Sequence, residues 1–391
     1  MARWTIFLPA LLFYPIWITI GFREDMFTSI SIYYPMMLAM IVGSMIAGST
    51  PLGGGIVAFP VSVLVLGFSP TEGRDFSLMI QSVGMTAASF LIFYKKKHLL
   101  EGCEDLISRF VLMSVIGIII GFELVGAASP YIVNIVYTTL VTCVVLVFGY
   151  RDFINHRLKP VSTNVPIDDN VVETTAVQVL ASGSGSEEDA STISLPKRLN
   201  TEVGSAFFLE HLLLLVFAIA GGVLSSQIGI GSDTSFYFYG SFLNAIMSRN
   251  IGASSSQTMC DNSLTAVSVI VMACTSVVGS ILRITTQQAS ELAVSREVYS
   301  ALYACSPIVV LGAPLGSLFL TPPNQQRLKY IFYSIGILQL FSFGVIKIGN
   351  DLTAWIAIVC VISAVSGSLF MHYMVSGRRL QTDSTVDIET V

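Results

Sequence analysis

The chain has 391 residues, of which 53% are hydrophobic and 12% charged, with a mean hydropathy of +0.75. Soluble domains carry about 25% charged residues, so this composition excludes an ordinary soluble domain and describes a polytopic membrane protein. The net charge of −5 reflects acid gathered in one central stretch and the C-terminal tail, and the lack of any basic stripe excludes nucleic acid as a partner.

Residues 1–22 carry Arg3 and then an apolar run that ends at Arg23-Glu24-Asp25. With no clear small-x-small cleavage site they read as a retained first span or signal-anchor, a cleaved signal peptide being the alternative. The apolar stretch 33–68 follows, interrupted by Pro51-Leu52-Gly53-Gly54-Gly55. Each glycine costs a helix roughly 1 kcal/mol and the proline about 3. Broken backbone at membrane depth is tolerated only where protein buries it or it lines a watery cavity, the arrangement of a transporter site built on half-helices. Residues 76–94 read as a span ending in the topology anchor Lys95-Lys96-Lys97, and 106–122 and 131–150 as two more. Residues 151–205 are rich in Ser, Thr, Asp, Glu and Val and contain Ser182-Gly183-Ser184-Gly185-Ser186-Glu187-Glu188-Asp189. They bury too little apolar surface to fold and read as a disordered linker. The stretch 206–247 is again apolar, broken at Gln227-Ile228-Gly229-Ile230-Gly231-Ser232-Asp233. Spans are expected at 257–282, 299–320, 330–348 and 352–374, followed by a polar tail, 375–391.

Of the six cysteines, none forms a C-x-x-C pair. Cys143, Cys260, Cys274, Cys305 and Cys360 lie in apolar segments as small hydrophobes. His98, His156, His211 and His372 fall in loops or at segment ends. No disulfide framework, metal site or cofactor is expected, and nothing in the sequence specifies an oligomeric state.

Topology follows from charge. If each broken segment enters and leaves on one side, every Lys and Arg except Arg23, Arg74, Arg283, Arg296 and Lys347 falls on the same side, which the positive-inside rule makes cytoplasmic. The N-terminus, linker and tail are then cytoplasmic. Each half of a broken segment, about 13 residues, reaches about 20 Å as helix, past the midplane of a core roughly 30 Å thick. The first break opens outward and the second inward, and each is followed by an odd number of spans. Units 33–150 and 206–348 are therefore expected as an inverted-topology repeat, with 1–22 and 352–374 as extra spans at the ends. Laying Gly43 on Gly221 sets Gly53 on Gly231 and Gly55 on Asp233. The fold class expected is an all-α polytopic membrane protein, each unit a glycine-interrupted helical hairpin plus three spans.

The run Gly48-Ser49-Thr50-Pro51-Leu52-Gly53-Gly54-Gly55-Ile56-Val57-Ala58-Phe59-Pro60, then Gly67-Phe68-Ser69-Pro70, then a span rich in small and polar residues, resembles the TauE/SafE family of sulfite or sulfonate exporters. The second unit's Gly229-Ile230-Gly231-Ser232-Asp233 occupies the matching place. It carries Ser232-Asp233 where the commoner family form has two more glycines, and Phe238 where that form has proline. The resemblance covers most of the chain outside the linker and tail. It implies movement of small anions, such as sulfite, organosulfonates or organic acids, coupled to an ion gradient.

Gly53, Gly54 and Gly55 let backbone approach a ligand with no side chain intervening. A half-helix beginning near Ile56 presents N–H groups and a positive dipole end, which suits an anion. A half-helix beginning near Thr234 does the same from the other side, with Gly229, Gly231 and Ser232 in its break. The following spans supply neutral donors: Ser77, Gln81, Ser82 and Thr86 in one unit, and Ser254, Ser256, Gln257, Thr258 and Asn262 in the other. The competing reading is structural, with glycines for close helix packing and Gln81, Ser82 and Gln257 as interhelical glue. Asp233 and Asp261 are the carboxylates expected within the membrane, where ionised groups are costly. Asp233 either caps its half-helix or couples H+ or Na+ movement to the solute. Asp261 stands near the start of its span and either shares that role or lies at the interface.

The leading expectation is a multi-pass secondary transporter for a small anion, working by alternating access in a lipid bilayer. An anion channel is the alternative within transport. An intramembrane aspartyl-type enzyme is the alternative from another class, recommended only by the partial likeness of Gly229–Asp233 to a Gly-x-Gly-Asp motif.

Overall fold

The computed structural model describes residues 7–51, 53–123, 197–250, 259–286, 293–320 and 334, and all regular structure among them is helical. The expected spans 131–150, 330–348 (residue 334 apart) and 352–374, residues 151–196 of the linker and the tail lie outside the described residues. In chain order the helices are α1 (Leu8–Arg23), α2 (Thr28–Ile32), α3 (Tyr34–Ser49), α4 (Gly55–Leu64), α5 (Pro70–Lys95), α6 (Glu104–Glu123), α7 (Lys197–Ile228), α8 (Ser232–Asn250), α9 (Asp261–Thr286) and α10 (Arg296–Leu318). Among the described residues, five stretches are long and apolar enough to cross a membrane: α5, α6, Glu210–Ile228, Asn262–Thr285 and α10. α1, α3 and α4 are shorter apolar helices.

The polarity of the packed helices is inverted relative to a water-soluble bundle. Leu11, Leu12, Ile16, Leu38, Val42, Phe93 and Leu112 face outward, while Ser44, Ser62, Ser77, Gln81, Ser225, Ser232 and Thr234 are buried. Apolar side chains outside cost nothing in lipid, and backbone polar groups are satisfied within each helix. This is an integral, multi-pass membrane protein.

α5 begins earlier than the apolar pattern suggested, at Pro70 rather than near residue 76. Ser69 and Glu72 form a capping box: the Ser69 hydroxyl accepts from the Glu72 N–H, and the Glu72 carboxylate accepts from the Ser69 N–H at 2.9 Å. Two orphan donors of the first turn are thereby satisfied. Arg74 and Asp75 consequently lie inside the helix and are buried. α7 also starts early, at Lys197, so the end of the stretch read as linker is helical.

Small residues bring the helices close. A β-carbon on Gly48 of α3 would sit 1.9 Å from the Ala313 carbonyl oxygen of α10, and one on Gly316 would sit 2.1 Å from the Met45 carbonyl oxygen. In a second such pair, Gly117 of α6 meets the Ile219 carbonyl, and Gly222 of α7 meets the Ser114 carbonyl. Where lipid is as apolar as leucine, such backbone contact is what holds helices together. Gly48→Leu is therefore expected to destabilise the protein by about 3 kcal/mol, read as a lower thermal unfolding temperature in detergent. An unchanged unfolding temperature would refute the α3–α10 contact.

Pro307 in α10 has no N–H for the Tyr303 carbonyl four residues earlier. Trp17 Nε1 donates to that carbonyl at 2.9 Å and stacks on the Tyr303 ring. This contact docks α1 on α10. At the opposite end, Lys96 does more than mark an interface. Its Nζ donates to the Leu318 and Leu320 carbonyls at 3.3 and 2.9 Å, capping α10 with a cation where its dipole is negative. Burial pushes the Lys96 ammonium down to about 8.

Candidate functional site

α3 ends at Ser49, with Thr50 extended, and α4 starts at Gly55. Gly53 in between has φ +60, a left-handed conformation that favours glycine. α7 ends at Ile228 and α8 starts at Ser232, with Gly229 at φ +77 and Gly231 at φ +148 between them. The two non-helical stretches touch. Thr234 Oγ1 donates to the Pro51 carbonyl at 3.4 Å. A β-carbon on Gly55 would fall 1.9 Å from Ile230 Cγ2. One on Gly229 would fall 2.7 Å from the Arg74 carbonyl oxygen and 2.9 Å from Ser77 Cβ. Both stretches thus rest against the first half of α5.

Gln81 of α5 joins these parts. Its Nε2 donates to the Gly229 carbonyl at 2.7 Å and to Ser77 O and Ser77 Oγ at 3.1 Å each. The amide N–H groups are thereby turned away from Gly53, and Oε1 points towards it. The position a Gly53 β-carbon would take is 2.3 Å from Gln81 Oε1 and 2.7 Å from Asp233 Oδ2. Both oxygens are buried and have no hydrogen-bond partner among the described residues. Asp233 is 0% exposed. Its other oxygen, Oδ1, accepts from the Thr234 N–H at 2.8 Å. Ser225, on the last turn of α7, accepts from the Ser232 N–H at 2.9 Å and bonds the Ser232 hydroxyl at 2.9 Å.

Two features of this geometry differ from a cradle of neutral donors. The first N–H groups of α8 are already engaged by Ser225 and by the Asp233 carboxyl group, so an internal acceptor occupies the place of an external anion. The point beside Gly53 is lined by two acceptor oxygens, which suits a proton or a cation rather than a bare anion.

The remaining candidates divide. Gly54 faces its own hairpin, with Ala47 Cβ 3.3 Å from its would-be β-carbon, and Gly231 faces Leu224 and Ser225 of α7. The Ser82 hydroxyl bonds the Met79 carbonyl of its own helix at 2.7 Å. Asn262 lies in the first turn of α9, two residues before Leu264, which rests on Gly240 of α8, about 12 Å along α8 from Ser232. Asp261 opens α9, and Gln257 lies outside the described residues. The group facing Asp233 across Gly53 is the Gln81 amide, not a second carboxylate.

Sequence reasoning passed over Ser225, Ile230 and Thr234 as contributors. The run Ser225-Ser226-Gln227, polar at the end of an apolar helix, was the available signal. It also placed Arg74 and Arg283 at solvent-facing loop ends and passed over Asp75. All three are buried together, Asp75 at 3% exposure and Arg283 at 4%. Asp75 Oδ1 accepts from Arg74 Nε and Arg283 Nε at 3.0 Å each, and Asp75 Oδ2 accepts from Arg283 Nη2 at 2.8 Å.

No curated protein and no solved structure matches the chain. The model of the family described as Sulfite exporter TauE/SafE matches residues 36–343, which take in both interrupted hairpins and every helix from α4 to α10. With the greater part of its length so matched, the chain belongs to the TauE/SafE sulfite exporter family of membrane transporters.

Proposed function

We propose that this protein carries a small oxyanion, sulfite or an organosulfonate, across its membrane by alternating access, at the place where the two interrupted hairpins meet. In this reading the units 33–150 and 206–348 form an inverted repeat, with the N-terminus, linker and tail in the cytoplasm. Asp233 is the coupling group. The observation that carries the proposal is the convergence of Asp233 Oδ2 and Gln81 Oε1, both buried and without partners among the described residues, on the Gly53 backbone.

The physical logic is competition at one helix end. While ionised, the Asp233 carboxylate satisfies the start of α8 and repels a solute anion. A proton or Na+ shared between Asp233 Oδ2 and Gln81 Oε1 neutralises that charge. The positive end of α8 then becomes available to the solute. A solute anion and a cation thus bind together and cross together, and an empty carrier returns with Asp233 ionised and self-satisfied.

The test is flux in proteoliposomes containing the purified full chain. Sulfite, a taurine-like sulfonate, sulfate and a dicarboxylate are supplied in turn, each under an imposed pH gradient and then a Na+ gradient. Saturable flux of sulfite or the sulfonate, accelerated by one of the gradients, is expected. Flux that rises linearly with concentration and ignores both gradients would instead indicate a channel.

A further inference from the structure

We propose that Arg74, Asp75 and Arg283 form an anion-receiving station next to the hairpin breaks, in which Arg283 exchanges its Asp75 partner for the transported oxyanion; the proposal rests on the anion reading above. Among the described residues the cluster contains two guanidinium groups and one carboxylate, all nine-tenths or more buried. One carboxylate cannot neutralise two guanidinium charges. Arg283 holds Asp75 through Nε and Nη2 in a two-point fork, while its Nη1 is buried and has no partner among the described residues. Glu72 lies one turn away from Asp75, but its carboxylate is engaged by Ser69 at 2.9 Å.

A buried cationic surplus is costly in an apolar setting. The chain neighbours of the three are apolar: Phe76, Met79 and Ile284 belong to one hydrophobic cluster, and Leu78 and Leu282 to another. The Arg283 fork alone suffices to bridge α5 and α9 at Asp75, so the Arg74 charge is surplus to that bridge. The surplus charge, with a nitrogen of Arg283 left over, has the chemistry of a receptor for a planar or tetrahedral oxyanion, which the guanidinium fork matches in two-point fashion.

Position supports the same conclusion. Asp75 precedes Ser77 by two residues and Gln81 by six, about 9 Å along α5. The Arg74 carbonyl packs directly against Gly229 of the second break. An anion leaving the cluster towards Ser77 therefore arrives beside Gly229 and Gly53. Asp75 acts as the resident anion that the solute must displace, so Asp75 and the solute compete for Arg283.

The experiment is sulfite flux in proteoliposomes, comparing the wild-type full chain with Arg283→Lys and Asp75→Asn. Lysine keeps the charge but loses the fork, and its KM for sulfite is expected to rise about tenfold. Asn at position 75 keeps the shape but removes the competing charge. Its KM is expected to fall several-fold, with a lower maximal rate because the solute leaves Arg283 more slowly. The two variants move KM in opposite directions, and either suffices should the other fail to insert. Saturable wild-type flux with both KM values unmoved, accompanied only by lower thermal stability, would overturn the station and leave the anion reading intact. A wild-type protein that carries none of the oxyanions would overturn both.

Discussion

Gly53→Ala is expected to reduce solute flux about tenfold or more, whereas Gly102→Ala leaves it unchanged. The two glycines make a matched pair. Gly53 has φ +60 and Gly102 has φ +77, so alanine pays roughly the same 1–2 kcal/mol of left-handed strain at each. Their surroundings differ. Around Gly102 no atom lies within 4 Å of the added β-carbon, whereas at Gly53 it meets Gln81 Oε1 at 2.3 Å and Asp233 Oδ2 at 2.7 Å. The methyl group fills the point on which those oxygens converge and pushes the Gln81 amide off the Gly229 carbonyl. A tenfold loss corresponds to about 1.4 kcal/mol at the site. The check is the initial flux per inserted molecule, with thermal unfolding of both variants measured alongside. Equal flux in the two would remove the Gly53 region from the solute path, since equal strain alone would then account for everything.

Asp233→Asn should uncouple transport rather than abolish it. The amide has the shape of the carboxyl group but carries no charge, so it mimics the cation-loaded state permanently. The start of α8 loses its internal anion and accepts the solute without a proton or Na+. Flux down the solute's own gradient is expected to persist. The acceleration by an imposed pH or Na+ gradient, on the order of tenfold in the wild type if about 1.4 kcal/mol of gradient is coupled, should vanish. Asp233→Leu separates this role from capping, because it removes the acceptor that takes the Thr234 N–H as well as the charge. If Asp233 only caps, Leu lowers the unfolding temperature, Asn, which keeps the acceptor, leaves it nearly unchanged, and neither alters the response to a gradient.

These expectations depend on features of different legibility. The capping box at Ser69 and Glu72 is a local pattern, readable in principle, yet the apolar count outweighed it and delayed the expected start of α5. That delay has a consequence: a helix starting near residue 76 leaves Arg74 at an outer loop end and gives Asp75 no role. Arg283 was misplaced for the same reason, because an arginine near the end of an apolar run resembles an interfacial anchor. Its partner Asp75 stands 208 positions away, and no local rule joins them. Lys96 gives a smaller instance. In sequence it is one of three equivalent lysines, and only the end of α10 singles it out.

From composition and local pattern alone came the membrane class, the all-helical architecture and the family. These depend on hydropathy, on the backbone limits of glycine and proline, and on a short motif, all of which act over a few residues. The tertiary structure decided which way the Gln81 amide turns, what faces Asp233, and that one buried carboxylate holds two arginines. Those outcomes depend on where helices cross, which is set by backbone contacts at Gly48 and Gly316 and at Gly117 and Gly222. A crossing point is a relation between distant segments, and the free energy that fixes it resides in their packing rather than in either segment alone.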